Sequence, residues 1–208
     1  MDLLALPRTV TASALALGTA VRGARVFHPR GRASAGTVVT DGGGTWGARV
    51  LDEAGTYDVV VRVSRGVGLP EPLPDVVGLA VRLPLLGRGG APLDVLVNTS
   101  GGLPGLRHLF LPEPLGRTCS SVLPYRTGSG RLVVLGARDT GAGWDLLAAP
   151  LAGGWRRWGR LTLGAALPDA ESEALRFRPT LGADDLQPVA LFRAVRDLSY
   201  RGSQALRP

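Results

Sequence analysis

Residues 57–64 decide the fold, and they are Tyr57-Asp58-Val59-Val60-Val61-Arg62-Val63-Ser64. Side chains of a β-strand alternate between its two faces, so Val59, Val61 and Val63 share one face. Arg62 and Ser64 share the opposite face. The stretch therefore predicts a strand with an apolar face and a face that carries polar side chains.

Similar Val- and Leu-rich runs occur along the chain, separated by Gly- and Pro-rich segments. The predicted strands are residues 33–40, 57–64, 76–84, 92–99, 131–138, 144–150, 155–165 and 174–178. They predict a mainly β (α+β) protein, built as an antiparallel barrel or sandwich. A barrel of about eight strands is filled by side chains or holds one small ligand, so inward polar residues would line a pocket.

Helical structure is predicted in two places. Residues 106–115 are expected to contain a helical turn. The tail from Pro188 to Arg207 is predicted to be a helix, because proline suits a first helical turn and the residues Val189, Phe192 and Val195 form an apolar stripe.

Composition narrows the class of protein. A length of 208 residues suits one domain, and 45% hydrophobic residues suit a globular one. The net charge is +7, but the arginines are scattered and no nucleic-acid-binding motif appears, so no nucleic-acid partner is expected. No apolar run approaches the roughly 20 residues of a membrane helix, so we expect a cytoplasmic protein without a membrane partner. The single Cys119 is expected to be a small buried residue.

Asn98 is the only asparagine of a chain that has no lysine and no isoleucine. This bias suggests a GC-rich genome, in which an asparagine is retained for its amide. It lies in Asp94-Val95-Leu96-Val97-Asn98-Thr99, where alternation places Asp94, Leu96 and Asn98 on one face. The alternative is a turn residue at the end of a strand.

Five segments, in order, resemble the haem catalase superfamily. They are residues 25–36, which contain Arg25, His28 and Gly31, then residues 61–64, 75–82 and 94–99, and lastly residues 196–207, which contain Arg196, Tyr200 and Arg207. The resemblance implies a single catalase-like domain over residues 1–208. Its catalase-type antiparallel barrel would span about residues 25–180, and a C-terminal helix over about residues 188–207 would carry the iron ligand of haem b.

The resemblance also assigns roles on the two sides of the haem. On the distal side, His28 would transfer protons, Asn98 would orient the peroxide and Ser64 would hold the His28 ring. On the proximal side, Tyr200 would bind the iron. Arg196 lies four residues before Tyr200 and would favour the ionised phenol. The remaining contacts to the haem would come from Phe110, which packs on it, and from Arg25, Arg62 and Arg207, which face its propionates.

The chain departs from the family in places. Gly101-Gly102-Leu103 replaces the usual pair of phenylalanines after the distal asparagine, and Gly202 replaces an aspartate. We predict a small catalase-related peroxidase, a haem-dependent oxidoreductase that uses a peroxide and a small-molecule reductant, as a monomer or homodimer. The alternatives are a non-catalytic haem-binding protein, a haem-free protein of the same fold, and an enzyme for organic hydroperoxides.

Overall fold

The computed structural model describes residues 30–66, 73–113, 118–179 and 181–189. Within these ranges the strands are β1 (Arg30–Asp41), β2 (Ala54–Arg65), β3 (Val77–Leu83), β4 (Leu93–Ser100), β5 (Thr118–Ser120), β6 (Tyr125–Thr127), β7 (Leu132–Asp139), β8 (Trp144–Pro150), β9 (Arg156–Ala166) and β10 (Leu186–Pro188). The α-helices are α1 (Arg49–Asp52) and α2 (Asp169–Ala174), and 3₁₀ turns occupy Arg88–Gly90 and Leu106–His108.

The strands form an antiparallel barrel that closes through β7 and β8. The order around it is β1, β2, β3, β4, β5, β7, β8 and β9, and β9 pairs with β1 again. The short strands β6 and β10 extend from the edge of β7 beyond β5. The prediction of a closed antiparallel barrel of about eight strands is confirmed.

The barrel interior is apolar and filled. Its core includes Val61, Leu79, Val97, Leu135 and Leu161. A gap of about 10 Å³ lies among core side chains such as Leu79 and Val97, and this is the space of a single water-sized probe. The valine face of β2 therefore points inward, and Arg62 and Ser64 lie on the outer face. Among the described residues, the interior gap is lined by apolar side chains and glycine, and it is not the pocket lined by polar residues that the sequence left open.

Two predicted boundaries are wrong. Residues 174–178 are not a strand, because α2 ends at Ala174 and the next residues run irregularly across the outside of the barrel. Pro188 does not begin a helix, since it ends β10 opposite Tyr125, on an edge strand where a missing N–H is tolerated. The helical turn expected within residues 106–115 is confirmed at Leu106–His108. The rest of the predicted C-terminal helix lies outside the described residues.

Cys119 belongs to the core, as expected. It is unpaired and buried on β5, opposite Thr99 of β4 and Ala137 of β7. Burial, aided by the negative charges of Glu113 and Asp139, raises the pKa of its thiol to about 12. The thiol is therefore neutral near pH 7. None of the helices in the described ranges has the length and hydrophobicity to cross a membrane.

The filled interior predicts a large difference between two leucines of β9. Leu161 is 1% exposed in the core, and Leu163 is 42% exposed. We expect Leu161→Ala to lower the free energy of unfolding by about 2–5 kcal/mol, because it removes core contacts and leaves a cavity. Leu163→Ala should cost less than about 1 kcal/mol. Urea unfolding of both variants measures this, and equal losses would contradict the described packing.

Candidate functional site

A row of small and polar residues crosses the outer face of the barrel. Each member lies directly opposite the next in the strand register, and the row is Gly31 (β1), Ser64 (β2), Gly78 (β3), Asn98 (β4) and Ser120 (β5). Residues paired in this way share a face. That face is the outer one, since the alternating positions Leu79 and Val97 are in the core. We call this set the outer row.

The positions beside the outer row carry two alanines, one arginine and one leucine. Two positions along each strand, the neighbours are Ala33, Arg62, Ala80 and Leu96, in register across β1 to β4. A Cβ built on Gly31 would lie 2.9 Å from Arg62 Cζ and 2.6 Å from Ser64 Cβ. Gly31 therefore lets the Arg62 guanidinium lie close to the backbone of β1.

Asn98 holds the least satisfied polar group of the outer row. Its side chain is half-buried, and its amide makes no hydrogen bond to another described residue. Ser64 is buried, and its Oγ reaches the carbonyl oxygen of Gly78 only at 3.5 Å, the limit of hydrogen-bonding distance. A half-buried amide usually finds a partner. The Asn98 amide is thus placed to bind a group from outside the described chain.

Apolar side chains flank Asn98 on the same face. Phe110 lies opposite Ser100, two residues beyond Asn98, and the Leu111 N–H donates to the Thr99 carbonyl at 3.0 Å. Phe110 is 59% exposed, and Leu103 is 67% exposed. The exposed set on this segment, which we call the apolar edge, consists of Leu103, Leu106, Leu109 and Phe110. Exposed leucines and a phenylalanine this close together indicate a binding surface.

The outer row is closed at its β5 end. The Ser120 hydroxyl donates to the Arg107 carbonyl oxygen. Arg107 is fully buried, and its guanidinium donates to the carbonyls of Pro150 at 3.1 Å and Gly153 at 2.8 Å, over the Trp155 ring at 4.4 Å. Burial lowers the pKa of the Arg107 guanidinium. This buried arginine fixes the loop between β4 and β5, so a ligand on the outer row has to lie between β1 and β4.

The outer face is also covered nearer the other end of β3 and β4. Arg82 donates two hydrogen bonds of 2.8 Å to the Asp94 carboxylate, and this pairing raises the pKa of Arg82. The same carboxylate accepts the N–H of Arg178 at 2.5 Å, and Phe177 lies 4.9 Å from the Arg82 guanidinium. These contacts hold residues 176–178 against the barrel, and they explain why this stretch does not add a strand.

The residues predicted from the sequence fall into two groups. Arg62, Ser64, Asn98 and Phe110 are brought together on the outer face of β2 and β4 and the segment beside it. The others lie outside the described residues, and they are Arg25, His28, Arg196, Tyr200 and Arg207.

Sequence reasoning gave no role to several residues that shape this surface. Gly78, Ala80 and Arg107 belong to this group. Gly78 and Ala80 stand in the segment of residues 75–82, and their spacing two apart on a strand was the available signal. Nothing in the sequence marked Arg107, because its carbonyl partners come from a distant turn. In the described part of the chain, no three His, Cys, Asp or Glu side chains are grouped as a metal site would require.

Comparison with known proteins identifies the fold. No family model matches the sequence, and no curated protein does. The structure is similar to a fungal catalase, with a TM-score of 0.60 and 14% identity over 92% of this chain and 61% of that one. It is also similar to a bacterial catalase, with a TM-score of 0.58 and 12% identity over 88% of this chain and 57% of that one. The chain thus has a catalase-like fold and spans less than two thirds of either catalase.

The close approach at Gly31 gives a test of the outer row. We expect Gly31→Ala to lower the free energy of unfolding by about 1–3 kcal/mol, because the new methyl group would displace Arg62 and Ser64. Gly105→Ala is the control, since its φ is −70° and no atom lies within 4 Å of the added Cβ. The control should change stability by less than about 1 kcal/mol. Thermal unfolding compares the two, and a neutral Gly31→Ala would contradict the placement of Arg62.

Proposed function

We propose that this protein binds haem b on the outer row and consumes peroxide, as a small catalase-related peroxidase. The observation that carries the proposal is the Asn98 amide. It is half-buried without a described partner, and it shares a face with Ser64 and Arg62. The catalase-like fold supports the proposal at the level of architecture.

The residues present fit a haem. A porphyrin is flat and apolar with two carboxylates at one edge, and the outer row and the positions beside it offer two glycines and two alanines near one arginine. Arg62 would pair with a propionate, since a guanidinium binds carboxylates with two parallel hydrogen bonds. Phe110 would pack on the porphyrin from the apolar edge. A Cβ at Gly31 would clash with Arg62 and Ser64, so glycine at this position lets both side chains lie against β1.

Residues outside the described ranges complete the proposed site. Tyr200 would bind the iron, and Arg196 would stabilise its phenolate. Arg25 and Arg207 would pair with propionates alongside Arg62. These assignments rest on the resemblance of residues 25–36 and 196–207 to catalase segments. Haem, when bound, supplies a redox-active iron that delivers the electrons for breaking the O–O bond.

The protein's own part in the reaction is proton transfer and orientation. His28 would accept the proton of the peroxide and return it to the departing oxygen, which leaves as water. An imidazole can do both near neutral pH. Asn98 would hold the peroxide by a hydrogen bond in the geometry this transfer needs. Ser64, which Gly78 separates from Asn98 in the outer row, would hold the His28 ring. A small-molecule reductant would then restore the resting protein.

The first test is the absorption spectrum of the protein reconstituted with excess haem. We expect a Soret band in the wild type, and we expect Tyr200→Phe to lose most of the bound haem or to change its spectrum, because the iron loses its anionic ligand. Tyr57→Phe is the matched control, since Tyr57 lies on β2 and packs against the barrel core. A wild type without a Soret band would contradict haem binding. An unchanged spectrum in Tyr200→Phe would assign the iron to another ligand.

The second test separates catalysis from haem binding. We expect His28→Ala to retain haem but to slow peroxide consumption about 100-fold or more, because a proton-transfer group is lost. Asn98→Ala should cost about tenfold, because it removes one orienting hydrogen bond. His108→Ala is the control, since the ring of His108 is bound to the Val122 carbonyl at 2.5 Å and has no proposed role. Stopped-flow mixing with H₂O₂ gives the rates. Wild-type rates in both variants would favour a non-catalytic haem-binding protein.

A further inference from the structure

A second concave surface lies at the mouth of the barrel. It is an open cleft of about 390 Å³, lined by Trp46, Arg131, Leu132, Val133, Pro150 and Arg156. Val133 of β7 pairs with Pro150, which ends β8, and Arg156 begins β9. In the strand register, Asn98 of β4 lies level with Gly136 of β7, three residues beyond Val133. The cleft and the outer row therefore lie at different levels of the barrel and share no residue.

Two arginines of the cleft are held in place without an acidic partner. The guanidinium of Arg156 lies over the Trp46 ring, 4.0 Å from its centroid. Arg131 donates one hydrogen bond, of 2.7 Å, to the Thr45 carbonyl oxygen. In the described part of the chain neither forms an ion pair. Other described arginines do, in the pairs Arg65–Asp75, Arg82–Asp94, Arg88–Asp184, Arg157–Asp41 and Arg160–Asp145.

The mouth of the cleft combines positive charge with an apolar floor. Trp46 and Val133 belong to the hydrophobic core, and both line the cleft. A guanidinium stacked on an indole keeps its N–H groups directed outward in its own plane, where a carboxylate or phosphate can accept them. Because Arg131 and Arg156 have few other acceptors, they carry unused donors at the rim. A volume of about 390 Å³ suits a small molecule.

We propose that this cleft binds a small organic anion, a compound with a phosphate or carboxylate group on a flat apolar body. The anionic group pairs with Arg131 and Arg156, and the apolar body lies on Leu132 and Pro150, beside the small exposed part of Trp46. The site does not depend on haem, because no residue of the outer row lines it. Binding of an anion in the cleft is therefore independent of the reaction proposed at Asn98.

Phenyl phosphate is the probe, titrated by isothermal calorimetry into the purified protein at low ionic strength. We expect Arg156→Gln and Arg131→Gln each to weaken its binding about tenfold or more, because each removes a charge-assisted hydrogen bond. Arg138→Gln is the control, because Arg138 is an exposed arginine at the other end of β7. It removes the same charge and should retain the wild-type affinity. Inorganic phosphate should bind at least about tenfold more weakly, because it lacks the apolar body.

Several outcomes would overturn the proposal. Absence of phenyl phosphate binding at millimolar concentration would do so, and so would an equal loss in Arg138→Gln, which would indicate general attraction to a protein of net charge +7. Equal affinities for inorganic phosphate and phenyl phosphate would show that the phenyl ring does not contact the apolar floor of the cleft. The Trp46 indole N–H signal in an NMR titration of the wild type gives a check that needs no variant. It should shift with phenyl phosphate and stay unchanged with benzyl alcohol.

Discussion

Side chains from eight antiparallel strands fill the barrel so fully that a gap of only about 10 Å³ remains beside Leu79, Val97 and Trp158. This close packing follows from strand alternation, because every second residue of each strand points to the same interior. Within the described residues, the filled interior offers no pocket lined by polar side chains, and the candidate sites lie on the outer face and at the mouth of the barrel. Asn98 lies on the outer face, and Arg131 and Arg156 lie at the cleft, so both candidate sites are outside the filled interior.

The outer face is distinguished by two strand positions that carry no side chain, Gly31 and Gly78. Strands need side chains on both faces to be stable, and glycine in a strand usually marks the close approach of another group. Gly31 and Gly78 stand in one register, and the Arg62 guanidinium lies against the first of them. On one side of this row, Arg107 donates to the carbonyls of Pro150 and Gly153. Ser64 and Gly78 are buried, so the row is accessible chiefly at Gly31 and Asn98.

The sequence predicted where the strands lie better than it predicted which face of each strand is interior. Alternation in residues 57–64 identified which residues share a face, but it could not tell which face is interior, because Arg62 and Ser64 suit a lined pocket as well as an outer wall. Residues 174–178 have the composition of a strand, yet the Asp94 carboxylate captures the Arg178 N–H that a neighbouring strand would need. The strands β5 and β6 were missed because each has only three residues. The contact between Asp94 and Arg178 is tertiary, and it leaves no pattern in the local sequence.

The loop after Asn98 has the greatest consequence for reactivity. A Cβ on Gly101 would lie 2.2 Å from Leu106 Cβ, so glycine is required for this loop to fold back as tightly as it does. The tight turn leaves Leu103 and Leu106 exposed to solvent instead of packed over the amide. On the proposed function, water would compete with a peroxide for the Asn98 side chain, and this competition would weaken orientation more than haem binding. The exposed apolar edge would then favour access by larger molecules over fast turnover of a small one.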